Sequence, residues 1–282
     1  DPLLAGPADD ADIDVTANKL RLFAGTGVGQ NTNHLETTVG TVSARATSGG
    51  IYLRETDALI VDDVGLSVNR VGSDGTTGTG SSTDALQSDV RTTAGNGNIV
   101  IRSNGGTITL NDGTATADDT GVSANGTGNV LLEAIGAGTD VVANVDVASG
   151  SGNVSVLGAR DVKFTGTADI LTTSTAAGSG SIDVMAGSGS VTQSATSLFQ
   201  TTGATGTIRV LGQVDVTVGD IVSATGTVSV TATTGNILDA DPLLAGPADD
   251  ADIDVTANKL RLFAGTGVGQ NTNHLETTVG TV

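Results

Sequence analysis

Hydrophobic residues in this chain alternate with polar ones over short runs, and turns rich in Gly, Asn, Ser and Thr separate the runs. The stretch GNVSV at 152–156 shows the pattern, with Val154 and Val156 on one side and Ser155 on the other. Val162 and Phe164 flank Lys163 in the same way, and Val214, Val216 and Val218 alternate with Asp215 and Thr217. A period of two predicts half-buried strands. Helical spacing is not sustained anywhere in the chain, and each Gly in a helix interior would cost about 1 kcal/mol relative to Ala.

Taking the first inward residue of each leading strand gives Ile13, Val42, Leu66, Ile99, Val130, Val154, Ile182, Ile208, Val228 and Ile253. Most intervals hold three strand-like pieces. The one from Val154 reads NVSVLGA, DVKFTG and DILTTS, and the one from Ile208 reads TIRVLG, QVDVTV and DIVSA. Three short strands per turn, repeated, predict an all-β fold, a right-handed parallel β-helix whose hand follows from crossover chirality. The polar runs 72–84 and 26–33 are expected to be loops that lengthen their coils.

A longer repeat overlies this one. Residues 1–42 recur without change at 241–282. Residues 1–240 therefore read as one complete tandem unit of about nine three-strand coils, and 241–282 as the start of the next. The second copy is expected to continue the same solenoid, with Ile253 taking up the register of Ile13.

Composition narrows the picture. Aromatic residues make up 2%, Cys and Trp are absent, and 37% of residues are hydrophobic. That suits a thin, elongated core better than a wide globular one, and it rules out disulfides and thiolate metal sites. The net charge of −19 argues against nucleic acid or an anionic membrane as partner. No apolar run has the length of a membrane span. Spread along a filament, this charge makes a polyanion that divalent ions could cross-link.

Acidic clusters supply the candidate chemistry. Asp9, Asp10, Asp12 and Asp14, with their copies Asp249, Asp250, Asp252 and Asp254, are calcium candidates, because Ca²⁺ takes several hard oxygens. Asp62 with Asp63 and Asp118 with Asp119 form further acidic pairs. Against a site, Asp12 and Asp14 alternate with Ile13 and Val15 and so read as the solvent side of a strand. Val100 and Leu131 are expected to stand side by side on adjacent coils, as a lateral contact between filaments. His34, the single His of the first unit, sits in a loop among Asn and Thr, and no catalytic or cofactor-binding residue is assigned.

The runs LETTVGTVSARATSGGIYLRETDALIVDDVGLSVNRV (35–71), GNVSVLGARDVKFTG (152–166) and TGTVSVTATTGNILDAD (225–241) resemble repeat segments of giant bacterial secreted proteins. Those proteins are similar to filamentous haemagglutinin-like and LEPR-XLL-type adhesins. The resemblance implies a right-handed β-helix, export to the cell surface, and a role in adhesion or extracellular structure. The expected function is thus non-enzymatic: a structural segment of a very long extracellular protein forming a surface filament, sheath or biofilm matrix fibre with an adhesive role. Its expected partners are its own repeats, end to end and laterally, together with surface glycans or other cells. Two alternatives stay open. A β-helix that binds or cleaves carbohydrate would need a groove lined by Arg, Lys or aromatics, and an ice-binding solenoid would need a flat Thr column.

Overall fold

The computed structural model describes residues 12–116, 118–176, 179–241 and 252–282. The chain winds as a parallel β-helix: 24 strands join one sheet, and each pairs with its equivalents one coil below and above. Three faces recur. Face A contains Ile51–Glu55, Ile99–Ser103, Val130–Ala134, Val154–Gly158, Ile182–Ala186 and Thr207–Gly212. Face B contains Leu59–Val61, Ile108–Leu110, Val141–Ala143, Val162–Phe164, Val191–Gln193, Val216–Val218 and Asn236–Asp239. Face C contains Val90–Thr92, Thr120–Ala124, Asp146–Ser149, Ile170–Thr173 and Leu198–Thr202, and continues into residues 220–223.

Alternation within each strand places one apolar column inside each face. On face A, Ile51, Ile99, Val130, Val154, Ile182, Ile208 and Val228 stack in register. On face B the column runs Leu59, Ile108, Val141, Val162, Val191, Val216 and Ile237. The columns meet in a single continuous core. Phe164 and Phe199, from faces B and C, fill its width edge to face with centroids 4.8 Å apart. Because the strands between the two ends of the described solenoid pair on both sides, the backbone is satisfied between coils, and a narrow core of Val and Ile suffices.

The coils from Val154 and Ile208 fall as the pattern predicts, except that the strand in the second begins at Val216 and leaves Val214 exposed. Three other expected inward positions are wrong. Ile13 and Ile253 are exposed, and Leu66 lies outside the solenoid. Leu66 belongs to Val64–Val71, which pairs antiparallel with Thr77–Gln87 as a separate two-stranded ribbon. The run 72–84, expected as a loop, is the tip and returning strand of that hairpin. The coil assigned to Leu66 is led instead by Ile51, and Val42 stands on face B beneath Val61. Alternation is present in Val64–Val71 as well, so the pattern identified a strand without saying which sheet receives it.

Candidate functional site

Polar residues at the corners of the solenoid bond from one coil to the next. Before face A, the N–H of Asn129 donates to Asn98 Oδ1 at 2.9 Å and the N–H of Asn153 to Asn129 Oδ1 at 2.8 Å. The preceding glycines are needed for close approach, since a Cβ on Gly152 would overlap the Gly128 carbonyl directly beneath it. Buried hydroxyls at the end of face C complete the corner: Ser149, Thr172 and Thr201 donate to the carbonyls of Gly128, Gly152 and Gly180 at 2.7, 2.7 and 2.5 Å.

Aspartates serve the other two corners in the same way. Before face B, the N–H of Asp161 donates to Asp140 Oδ1 at 3.1 Å, that of Ser190 to Asp161 Oδ1 at 2.9 Å, and that of Asn236 to Asp215 Oδ1 at 2.7 Å. Before face C, the N–H of Asp169 donates to Asp146 Oδ1 and that of Leu198 to Asp169 Oδ1, at 2.8 and 2.7 Å. The two columns differ electrically. Burial works against the charge of Asp140, but Arg160, the Asp161 N–H and Lys163 outweigh it and hold the carboxyl below its usual range. Among the described residues no cation offsets the burial of Asp146; burial, with Asp169 and Asp119 nearby, pushes it up to about 6 despite the Asp169 N–H. Burial likewise raises Asp169 and Asp220.

The expected acidic pairs are also tied into the fold. Asp63 accepts from the Thr114 hydroxyl at 2.5 Å and from the N–H groups of Thr114 and Ala115 at 2.8 and 3.2 Å, which outweigh its slight burial and lower its pKa. Asp62 accepts from Asn111 Nδ2, Asp118 faces Arg91 at 3.5 Å, and Asp119 accepts from Thr167. Of the calcium candidates, Asp9, Asp10, Asp249 and Asp250 lie outside the described residues. Asp12 and Asp252 are exposed, and Asp14 and its copy Asp254 differ from each other.

That difference marks the joint between units. In both copies the carboxylate caps the strand one coil on: Glu36 N donates to Asp14 Oδ2 at 3.1 Å, and Glu276 N to Asp254 Oδ2 at 2.6 Å. Asp14 is exposed, whereas Asp254 is 2% exposed, because the end of the first unit lies against it. There Asp239, Asp254 and Glu276 bring carboxylate oxygens within 4.8 Å of one another. Burial first, then the nearby Asp239 and Glu276, push Asp254 up to about 9 against the Glu276 N–H. Such a group can share a proton, or its oxygens could hold a hard cation. Sequence reading found Asp254 but missed Asp239 and Glu276, because no local spacing links the end of one unit to the second coil of the next.

The joint also changes the phase of the winding. Val15–Ala24 and Val255–Ala264 are identical, and each keeps the same partner one coil on: Val15 pairs with Thr37 and Val255 with Thr277, Lys19 with Thr41 and Lys259 with Thr281. Their attachment to the solenoid differs. The first copy lies under Leu35–Ala46, which carries Glu55 of face A, Val61 of face B and Val90 of face C. The second copy lies on Asp220–Ala232, with 255–257 on the face C part and 259–264 on the face A part. The expected return of Ile253 to the register of Ile13 does not occur. Within the first unit, Glu55, buried at the end of face A, ties that strand to Leu35–Ala46 by accepting from the Thr37 hydroxyl at 2.6 Å and Val39 N at 3.1 Å; burial raises its pKa despite these bonds.

Val100 and Leu131 do stand side by side, half-buried on the outside of face A, with Tyr52 next to Val100. Further along the same face a second outward column runs Leu157, Met185, Leu211, Thr231 and Phe263. His34 stacks on Tyr52 with centroids 5.9 Å apart. On face B the outward positions read Ile60, Thr109, Val142, Lys163, Thr192, Thr217 and Leu238, which is not a Thr array. No described helix is long and apolar enough to cross a membrane. No family model, curated protein or solved structure matches this chain.

Proposed function

We propose that this chain is a non-enzymatic structural segment of a long tandem-repeat extracellular protein that forms a surface filament, sheath or matrix fibre with an adhesive role. One observation carries the reading. The second copy of the repeated segment stacks by parallel backbone hydrogen bonds on the last coils of the first unit, and it keeps its own pairing to the coil that follows. A unit whose beginning fits its own end extends without limit, and its stability grows with nearest-neighbour contacts. Among the described residues Val15–Ala24 pairs on one side, with Leu35–Ala46, and its other edge is where a preceding unit would add. Hydrogen bonds then run along the fibre axis, and the corner ladders hold the turns in register under tension.

Extracellular placement and adhesion are supported by the resemblance of the repeat to surface adhesins. The acidic ladders suit a mechanical role, since each aspartate accepts a corner N–H rather than converging on a substrate. Electron microscopy of a chain with two complete units tests the reading. Rods should lengthen per added unit by roughly 40 Å, the rise of nine coils at the ~4.8 Å strand spacing. Compact particles of unchanged length, or saccharide cleavage by them, would overturn it.

A further inference from the structure

The hairpin of Val64–Val71 and Thr77–Gln87 leaves the solenoid after face B and rejoins it at face C. Its base is fixed on the first two coils. Gln87 Nε2 donates to Leu22 O at 2.9 Å and to Ser43 Oγ at 3.2 Å, so it bridges both coils, while Ala85 O accepts from Arg21 Nε at 3.1 Å on the lower one. Passing from Gln87 to Ala85 therefore descends the axis toward the open end below Val15–Ala24. Followed in that direction, the rest of the ribbon would run past that end; Leu66, Val68, Val71 and Leu86 on it are exposed, Val71 at 64%. Phe23, on the strand that anchors the ribbon, is 63% exposed. A lone two-stranded ribbon is marginal in water, and one with apolar side chains in solvent lacks a cover.

The second copy shows what lies below this anchor in an array. Residues 259–264, the copies of 19–24, rest on face A of the first unit. Directly down that face run Phe263, Thr231, Leu211, Met185 and Leu157, an outward ridge that is apolar apart from Thr231. Building on the filament reading, we propose that the hairpin of each unit is a strap that descends over face A of the preceding unit and covers this ridge. The dimensions agree. From Leu66 to Val71 a strand advances about 17 Å, and three coils from Phe263 to Met185 span about 14 Å. Beside the ridge, Arg209 and Asp183 are already joined at 2.7 Å, so the strap meets a paired charge. Val100 and Leu131 lie on lower coils, beyond its reach. The strap adds an antiparallel clasp across each joint, where the winding changes phase.

The chain has no cysteine, so introduced thiols report directly. In a chain of two complete units, Met185→Cys in the first unit and Val71→Cys in the second should form an intramolecular disulfide under mild oxidation. Thr192→Cys on face B paired with the same Val71→Cys should not. In the chain without added cysteines, trypsin should cut at Arg70 of the first unit several-fold faster than at its copy in the second, which the preceding unit covers. Rods of two-unit length without the disulfide and with equal cutting at both sites would overturn the strap and leave the filament reading intact. Failure of the rods to lengthen would remove both.

Discussion

Replacing Asp146 by Asn isolates the electrostatic cost of an aspartate ladder from its hydrogen bond. The amide keeps an oxygen for the Asp169 N–H, now held at 2.8 Å, and removes the charge. Burial, Asp169 and Asp119 raise the Asp146 carboxyl from 3.8 to about 6 in the folded chain. A carboxyl with a raised folded pKa favours folding when protonated. Its contribution is fully present below about pH 4, and it is lost as pH rises through 6. A shift of about two units corresponds to ~3 kcal/mol at pH 8. The side chain is half-buried, and solvent screening reduces this to ~1–2 kcal/mol. Asp146→Asn should therefore stabilise the chain by ~1–2 kcal/mol at pH 8 and by almost nothing at pH 4. Urea unfolding followed by far-UV circular dichroism at pH 4, 6 and 8 measures this as a midpoint shift that opens with pH. A shift of equal size at all three values, or destabilisation at pH 8, would show that the ladder's charge is not the controlling term.

At the joint, burial and the neighbouring carboxylates push Asp254 up to about 9, so attachment of the second copy should be tightest in acid and loosen as pH rises toward and through 9; Asp254→Asn should flatten this dependence in hydrogen exchange of the Glu276 amide, and unchanged pH dependence would count against the carboxylate cluster. Phe164→Ala removes a buried ring that meets Phe199 edge to face and should cost ~3–5 kcal/mol in urea unfolding; a loss below ~1 kcal/mol would mean that the core there is loosely packed. Gly152→Ala forces a methyl against the Gly128 carbonyl and should cost about 1–3 kcal/mol, whereas Gly25→Ala, with open space around it, should be neutral or mildly stabilising. Equal effects of the two substitutions would refute the close stacking of corners.

The fold was legible because its causes are local. In 153–173 each strand, its inward side chains and the turn between them follow from period two and from the small residues at the corners, and the structure places all three strands as that pattern predicts. The Gly–Asn pairs were visible as turns, although their reason, a carbonyl from the coil below, is contributed by residues some 24–31 positions away. The acidic residues were read as solvated charge or calcium ligands. Several accept an N–H from the next coil, and no sequence spacing reveals that, because coil length varies.

Which sheet a strand joins was beyond the sequence. Val64, Leu66 and Val68 alternate with polar or small residues as the solenoid strands do, yet Val64–Val71 pairs with Thr77–Gln87 outside the solenoid, while Ile51–Glu55 takes the place assigned to it. The repeated segment makes the division sharpest. By itself the sequence determined that Val15–Ala24 and Val255–Ala264 are the same strand with the same partner one coil on. Only the tertiary structure decided that one underlies all three faces and the other rests on faces C and A. Alternation fixes which side of a strand is buried, whereas the face it occupies is set by the coil it stacks upon, and identical residues at the two ends of a unit meet different coils.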